Sequence, residues 1–145
     1  QDCLYVMKLY DRQKTEPTLP MEMHVLKIGD IAFAIQSYCE ERGFSVVREY
    51  TGHGVGTHLH EEPEVPNFKK LGRGIKLRPG MTLAVEPMIN QGTWQVDWMD
   101  DDWTVVSRDL SLSAHYENTI LITNGKPELL TLTESEKAAG ALNLY

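Results

Sequence analysis

The sequence has little cysteine, no cluster of positive charge and no long apolar run, and each absence narrows the function. Its two cysteines, Cys3 and Cys39, are too few for a disulfide framework or a zinc knuckle, so we expect a reducing, cytoplasmic compartment. No apolar stretch reaches the roughly 18 residues that span a bilayer, so we expect no membrane partner. The net charge of −7 and the lack of a lysine or arginine run predict no nucleic-acid partner.

The apolar pattern of the 145 residues predicts one domain of mixed helices and strands. Asp30 is the predicted cap of a helix over 31–42 that stops before Gly43, with one apolar face. A second helix is predicted to start after Thr133, which with Glu136 forms a capping-box pattern.

Strand-like runs follow the first helix and dominate the second half of the chain. We predict strands at 3–10, 44–47, 81–89, 103–107 and 115–123. Asn124-Gly125 is typical of a tight hairpin turn, which predicts antiparallel pairing late in the chain.

Two carboxylates lie in strongly apolar runs. Glu86 ends "MTLAVE", and Glu117 precedes "NTILI". An ionised carboxylate that faces a core costs several kcal/mol unless a cation or hydrogen-bond donors compensate it. Neither residue has a lysine or arginine neighbour in sequence, so a divalent cation would satisfy both. The solvated face of a strand remains the alternative for each.

The stretch "TGHGVGTHLHEEP" offers nitrogen ligands. His53 lies between two glycines, which let the backbone approach closely, and with Glu86 and Glu117 it would form half of a site for manganese, iron, cobalt or zinc. His58 and His60 alternate, so at most one faces a common site in an extended segment. Spacing alone also allows turn histidines, and it favours packing roles for the three tryptophans, Trp94, Trp98 and Trp103.

Four segments in this order resemble the methionine aminopeptidases of the pita-bread metallopeptidase family. They are "GHGVGTHLHEEP", "LRPGMTLAVEPMIN", "DDWTVVSRDLSLSAHYENTILIT" and "PELLT", within residues 28–132. The resemblance is to the C-terminal half of that creatinase/aminopeptidase-like fold. It implies an α+β structure, a curved and mainly antiparallel sheet with outer helices, over residues 24–145 after an atypical segment, 1–23.

The resemblance also implies roles for individual residues. His53, Glu86 and Glu117 match ligands of a pair of divalent metal ions, with Glu117 bridging both. Glu86 matches the catalytic general base, and His60 matches the histidine that binds the scissile group of the substrate. Leu59 and Trp103 match positions that line or rim the pocket for the methionine side chain.

The implied function is removal of the N-terminal methionine from peptides or nascent proteins. The family's two remaining ligands are aspartates of its first half, and Asp2 and Asp11 are nine residues apart where the family has eleven. We therefore expect this chain to be incomplete for activity and to bind metal weakly, or only one ion, without a second chain or the missing half. The alternatives are a non-catalytic binding module or pseudoenzyme and a proline-specific aminopeptidase.

Overall fold

The computed structural model describes residues 26–138, which form a mainly antiparallel α+β fold. The helices are α1 (Ile28–Glu40) and α2 (Glu134–Ala138). The strands are β1 (Ser45–Val46), β2 (Gly52–Gly54), β3 (Glu61–Val65), β4 (Thr82–Val85), β5 (Met88–Asn90), β6 (Val96–Trp98), β7 (Val105–Ser107), β8 (Ser113–His115), β9 (Asn118–Leu121) and β10 (Glu128–Leu129). The strand predicted at 3–10, with Asp2 and Asp11, lies outside the described residues, as does the chain after Ala138.

The strands form two sheets and a separate hairpin, and every pair is antiparallel. The five-stranded sheet has the order β10-β9-β4-β2-β3, the three-stranded sheet the order β1-β5-β8, and β6 pairs with β7. The chain therefore passes between these two sheets three times. The passage from β1 to β2 spans 47–51, and the other two take only two residues each, from β4 to β5 and from β8 to β9. We call the residues at these two short passages, 86–87 and 116–117, the strand junction.

The strand junction corrects two predictions, because the single strands expected at 81–89 and 115–123 are each broken in two. Pro87 has no N–H to donate to a ladder, so continuous pairing ends there. The Glu86 carbonyl instead accepts a hydrogen bond of 3.2 Å from the Asn67 side chain. Across the junction, the Tyr116 N–H donates to the Pro87 carbonyl at 3.3 Å. Both predicted carboxylates thus lie where the chain leaves one sheet for the other.

The core lies between α1 and the five-stranded sheet. Its buried members are Leu26, Ile28, Ile31, Val65, Leu77, Leu83, Val85, Ile120 and Ile122. A second cluster joins α1 to the three-stranded sheet through Tyr38, Cys39, Val46 and Ile89. Each large aliphatic side chain that is fully buried contributes about 1.5–3 kcal/mol. These two clusters fix the sheets on either side of the strand junction.

The start of α1 differs from the prediction that Asp30 caps it. The helix begins one turn earlier, with Lys27 at the N-cap, and Asp30 is the third helical residue. Its carboxylate accepts a hydrogen bond of 2.8 Å from the Lys27 N–H and one of 2.9 Å from Arg73 Nε. Asp30 therefore still satisfies a free N–H of the helix start, but from inside the first turn.

Several local predictions are confirmed. The helix ends before Gly43, whose φ of 79° favours glycine, and β1 lies within 44–47. The antiparallel pairing predicted around Asn124-Gly125 is present between β9 and β10, although the connection is a loop over 122–127 and not a tight turn. Thr133 and Glu136 form the capping box, with the Thr133 N–H 2.8 Å from Glu136 Oε2 and the Glu136 N–H 3.3 Å from Thr133 Oγ1.

The hairpin of β6 and β7 corrects the packing role predicted for the tryptophans. Trp98 is 59% exposed and Trp103 is 85% exposed, so neither is a core residue of this part of the chain. Trp94 is half-buried, with the Arg48 guanidinium 4.3 Å from its ring centroid. Among the described residues, no helix has the length and apolar character to cross a membrane.

Candidate metal centre

Three side chains predicted to act together meet at the strand junction. Ligand atoms of His53, Glu86 and Glu117 all lie within 4.8 Å of one another. β2 carries His53 opposite Ala84 of β4, Glu86 directly follows β4, and Glu117 directly precedes β9. Because β4 pairs with both β2 and β9, three segments that are distant in sequence bring their donors to one point.

The glycines beside His53 are needed for close packing in the sheet. A Cβ atom at Gly52 would overlap the Ala84 carbonyl, and one at Gly54 would overlap the Glu62 carbonyl. Both glycines are buried, while His53 between them points its ring toward the carboxylates. The glycine-histidine-glycine pattern therefore has a steric cause in this fold.

A backbone contact fixes the proton of His53. Its Nδ1 lies 2.8 Å from the Gly54 carbonyl oxygen, which can only accept, so Nδ1 carries the hydrogen. In the neutral ring, Nε2 then presents a lone pair, and it lies 3.4 Å from Glu86 Oε1. Two acceptors face each other at that distance, and a cation between them would satisfy both.

The electrostatics of Glu86 support the same conclusion. Its side chain is only 14% exposed. Burial raises the pKa of Glu86, and the neighbouring Glu117 raises it further, against the opposing effects of His53, His115 and His60. Two carboxylates and an imidazole lone pair form a donor set typical of sites for divalent transition metals. The residues present therefore fit such an ion.

The other predicted site residues differ in how close they lie to His53, Glu86 and Glu117. The ring centroids of His60 and His53 are 4.1 Å apart, so His60 borders the donor cluster. His58 is exposed, and its N–H donates to Glu61 at 2.7 Å. Leu59 is 72% exposed and Trp103, in the loop between β6 and β7, is 85% exposed. Their predicted place around a substrate pocket stays a prediction.

Sequence reasoning missed two residues that contact Glu86. His115 Nε2 lies 3.5 Å from Glu86 Oε2. Asn67 is almost completely buried and donates to the Glu86 carbonyl. The position of His115 two residues before Glu117 was a usable signal, because alternate residues of a strand face the same side. Nothing in the turn-rich segment around Asn67 pointed to its role.

The chain is similar to known metallopeptidases. The model of metallopeptidase family M24 matches residues 23–124. A methionine aminopeptidase of Clostridium perfringens is 57% identical over 106 residues, which cover 73% of this chain and 43% of that protein. The crystal structure of a methionine aminopeptidase from Thermotoga maritima matches with a TM-score of 0.75 and 42% identity over 89% of this chain and 49% of that one.

Proline-specific relatives are less similar. The prolidase structure from Pyrococcus horikoshii OT3 matches with a TM-score of 0.54 and 25% identity over 92% of this chain. The predicted α+β, pita-bread fold class is confirmed by the methionine aminopeptidase structures. The chain spans about half the length of the methionine aminopeptidases that it matches. It belongs to metallopeptidase family M24, and its relatives at 44–57% identity are methionine aminopeptidases.

Proposed function

We propose that this chain supplies the metal ligands and the general base of an aminopeptidase that removes N-terminal methionine. The observation that carries the proposal is the meeting of His53, Glu86 and Glu117 ligand atoms within 4.8 Å. Its support from outside the structure is the 57% identity to a methionine aminopeptidase. The domain responsible is taken as 24–145, with His53, Glu86 and Glu117 as ligands of two divalent ions, manganese, iron, cobalt or zinc.

Each residue would contribute a distinct part of the reaction. Bound divalent metal supplies Lewis-acid activation of water and of a carbonyl group. Glu86 would accept the proton of the attacking water and pass it to the leaving amine. His60 would donate a hydrogen bond to the scissile carbonyl.

Selectivity would come from an apolar pocket that takes the methionine side chain. Leu59 and Trp103 are exposed here, and both would be covered by the thioether chain of a bound substrate. The substrate is the N-terminal methionine of a peptide or a nascent protein. Because the described residues offer three close ligands, we expect weak metal binding unless Asp2, Asp11, a second chain or a first-half segment adds more.

Release of methionine from a Met-Ala-Ser peptide tests the proposal. The full chain is incubated with manganese or cobalt, alone and with a first-half fragment of a relative. Glu86→Gln keeps the size of the side chain but removes the base. Glu128→Gln is the matched control, because Glu128 is exposed on β10.

We expect metal-dependent release that Glu86→Gln abolishes and Glu128→Gln leaves unchanged. Metal binding without hydrolysis under every reconstitution would contradict the proposal and favour the non-catalytic binding module. Cleavage of an Xaa-Pro dipeptide in preference to Met-Ala-Ser would instead support the proline-specific alternative.

A further inference from the structure

Glu86 lies between two imidazole rings that meet different oxygens of its carboxylate. His53 Nε2 is 3.4 Å from Oε1, and His115 Nε2 is 3.5 Å from Oε2. The first contact belongs to the proposed metal centre. The second contact comes from His115, the last residue of β8, and has no role in the chemistry described above.

The two rings cannot make the same contact with Glu86, because their ring hydrogens lie on different nitrogen atoms. His53 donates its Nδ1 hydrogen to the Gly54 carbonyl, so in the neutral ring that binds a metal its Nε2 is an acceptor and does not donate to Glu86. A neutral His115 can carry its hydrogen on Nε2 and point it at Oε2, at the outer limit of hydrogen-bond distance. Of these two rings, His115 is the one able to donate.

Glu86 needs such a donor. Its side chain is 14% exposed, so little water reaches it, and the titratable groups that affect its pKa are Glu117 and the histidines His53, His115 and His60. A carboxylate that binds metal through one oxygen keeps its orientation when a donor holds the other. Pairing of β5 with β8 sets His115 opposite Met88, which fixes the backbone of His115 beside the strand junction.

We infer that His115 is a positioning residue that holds Glu86 Oε2 and leaves Oε1 aimed at the metal position near His53. The inference rests on the proposed function, since it assumes that Glu86 is a ligand. The His115 side chain is 46% exposed, so it adds little to the packing of the fold. Its removal should therefore change metal affinity without changing stability.

Titration of the full chain with Mn²⁺, followed by the electron paramagnetic resonance of the free ion, tests this inference. His115→Ala removes the donor, and His115→Gln restores one through its amide nitrogen. His58→Ala is the matched control, since His58 is an exposed histidine outside the donor cluster. Glu117→Gln removes a proposed ligand. Thermal unfolding of each variant is recorded with a chelator present.

We expect His115→Ala to weaken Mn²⁺ binding about tenfold or more, as loss of a residue that orients a ligand does elsewhere. His115→Gln should bind nearly as tightly as the unchanged chain, with unfolding midpoints the same for all. Equal binding by His115→Ala and the unchanged chain, while Glu117→Gln loses binding, would overturn the inference alone. Equal weakening by the alanine and glutamine variants, or a matching loss of stability, would also overturn it. No Mn²⁺ binding by the unchanged chain, either alone or with the first-half fragment added, would overturn both proposals.

Discussion

The strand junction and the hairpin of β6 and β7 both place carboxylates beside strands, but in opposite surroundings. At the junction, Glu86 is largely buried and faces Glu117, with no lysine or arginine among the groups that shift its pKa. In the hairpin, Asp97 pairs with Arg108 at 2.9 Å, and Asp101 accepts a hydrogen bond of 2.8 Å from the Thr104 N–H. These two aspartates therefore have donors close by, whereas Glu86 faces a second carboxylate and is placed to bind a cation.

The difference teaches that a carboxylate becomes a candidate ligand through what surrounds it. Glu86 is largely buried at the junction, which makes an unpaired charge on it costly, while Glu117 beside it is exposed. The hairpin is solvated, so its charges cost little and bind little. The variants below measure that contrast through the free energy of unfolding, in urea with a chelator present.

Leu83→Ala should have the largest effect. Leu83 is fully buried in β4, one strand residue away from the pairing that positions His53. Loss of its side chain should cost about 2–5 kcal/mol of unfolding free energy, through lost burial and the cavity left behind. Leu112→Ala is the control, because Leu112 is 77% exposed and should change stability by less than about 0.5 kcal/mol. Similar losses for both would remove the contrast between core and surface.

Asn67→Ala should have the second-largest effect on the free energy of unfolding. The side chain is 1% exposed, and its amide is the donor that meets the Glu86 carbonyl at the junction. Its removal should cost about 1–3 kcal/mol, because the partly buried Glu86 carbonyl loses its donor. Asn67→Asp should destabilise at least as much near neutral pH, since a carboxylate cannot donate to that carbonyl. A loss under about 0.5 kcal/mol in both variants would show that the junction is not held by Asn67.

Asp30→Ala should cost about 1 kcal/mol, through the hydrogen bond to the Lys27 N–H. The Arg73 guanidinium lowers the pKa of Asp30. The contribution of Asp30 is therefore complete above its unfolded-state pKa of about 3.9, and is lost as pH falls through the lower folded-state value. The difference from the unchanged chain should shrink in acid. Asp97→Ala, in the exposed hairpin pair, should give no measurable change, and an equal loss would contradict the contrast.

Trp103→Ala should have the smallest effect on stability, below about 0.5 kcal/mol, because its side chain is 85% exposed. If Trp103 rims the methionine pocket, the same variant should raise KM of an active preparation and change kcat less. Peptide hydrolysis measured over a range of substrate concentrations checks this. A large loss of stability would contradict the exposed position of Trp103.

Sequence predicted the features that local chemistry determines. Glu86 and Glu117 stand out because a carboxylate in an apolar run needs a cation or hydrogen-bond donors to compensate its charge. The capping box of Thr133 and Glu136 was predictable because it forms within one helical turn. The helix start was misplaced because Asp30 also pairs with Arg73, 43 residues away, and no local pattern reports that contact.

Features that depend on long-range pairing were not predicted. The strand breaks at Glu86 and Glu117 follow from pairing between β4, β5, β8 and β9. β6 was missed, because its exposed residues in a polar segment lack the alternation of a half-buried strand. Asn67 could be recognised only from its contact with Glu86 in the folded chain.

The most direct measurement of the central claim is anomalous diffraction from crystals of the chain grown with zinc and collected on both sides of the zinc absorption edge. We predict an anomalous peak at the strand junction, within about 2.0–2.2 Å of His53 Nε2 and of oxygens of Glu86 and Glu117. No anomalous peak at the strand junction, or peaks only at exposed groups such as His58, would contradict the claim that these three residues form a metal centre.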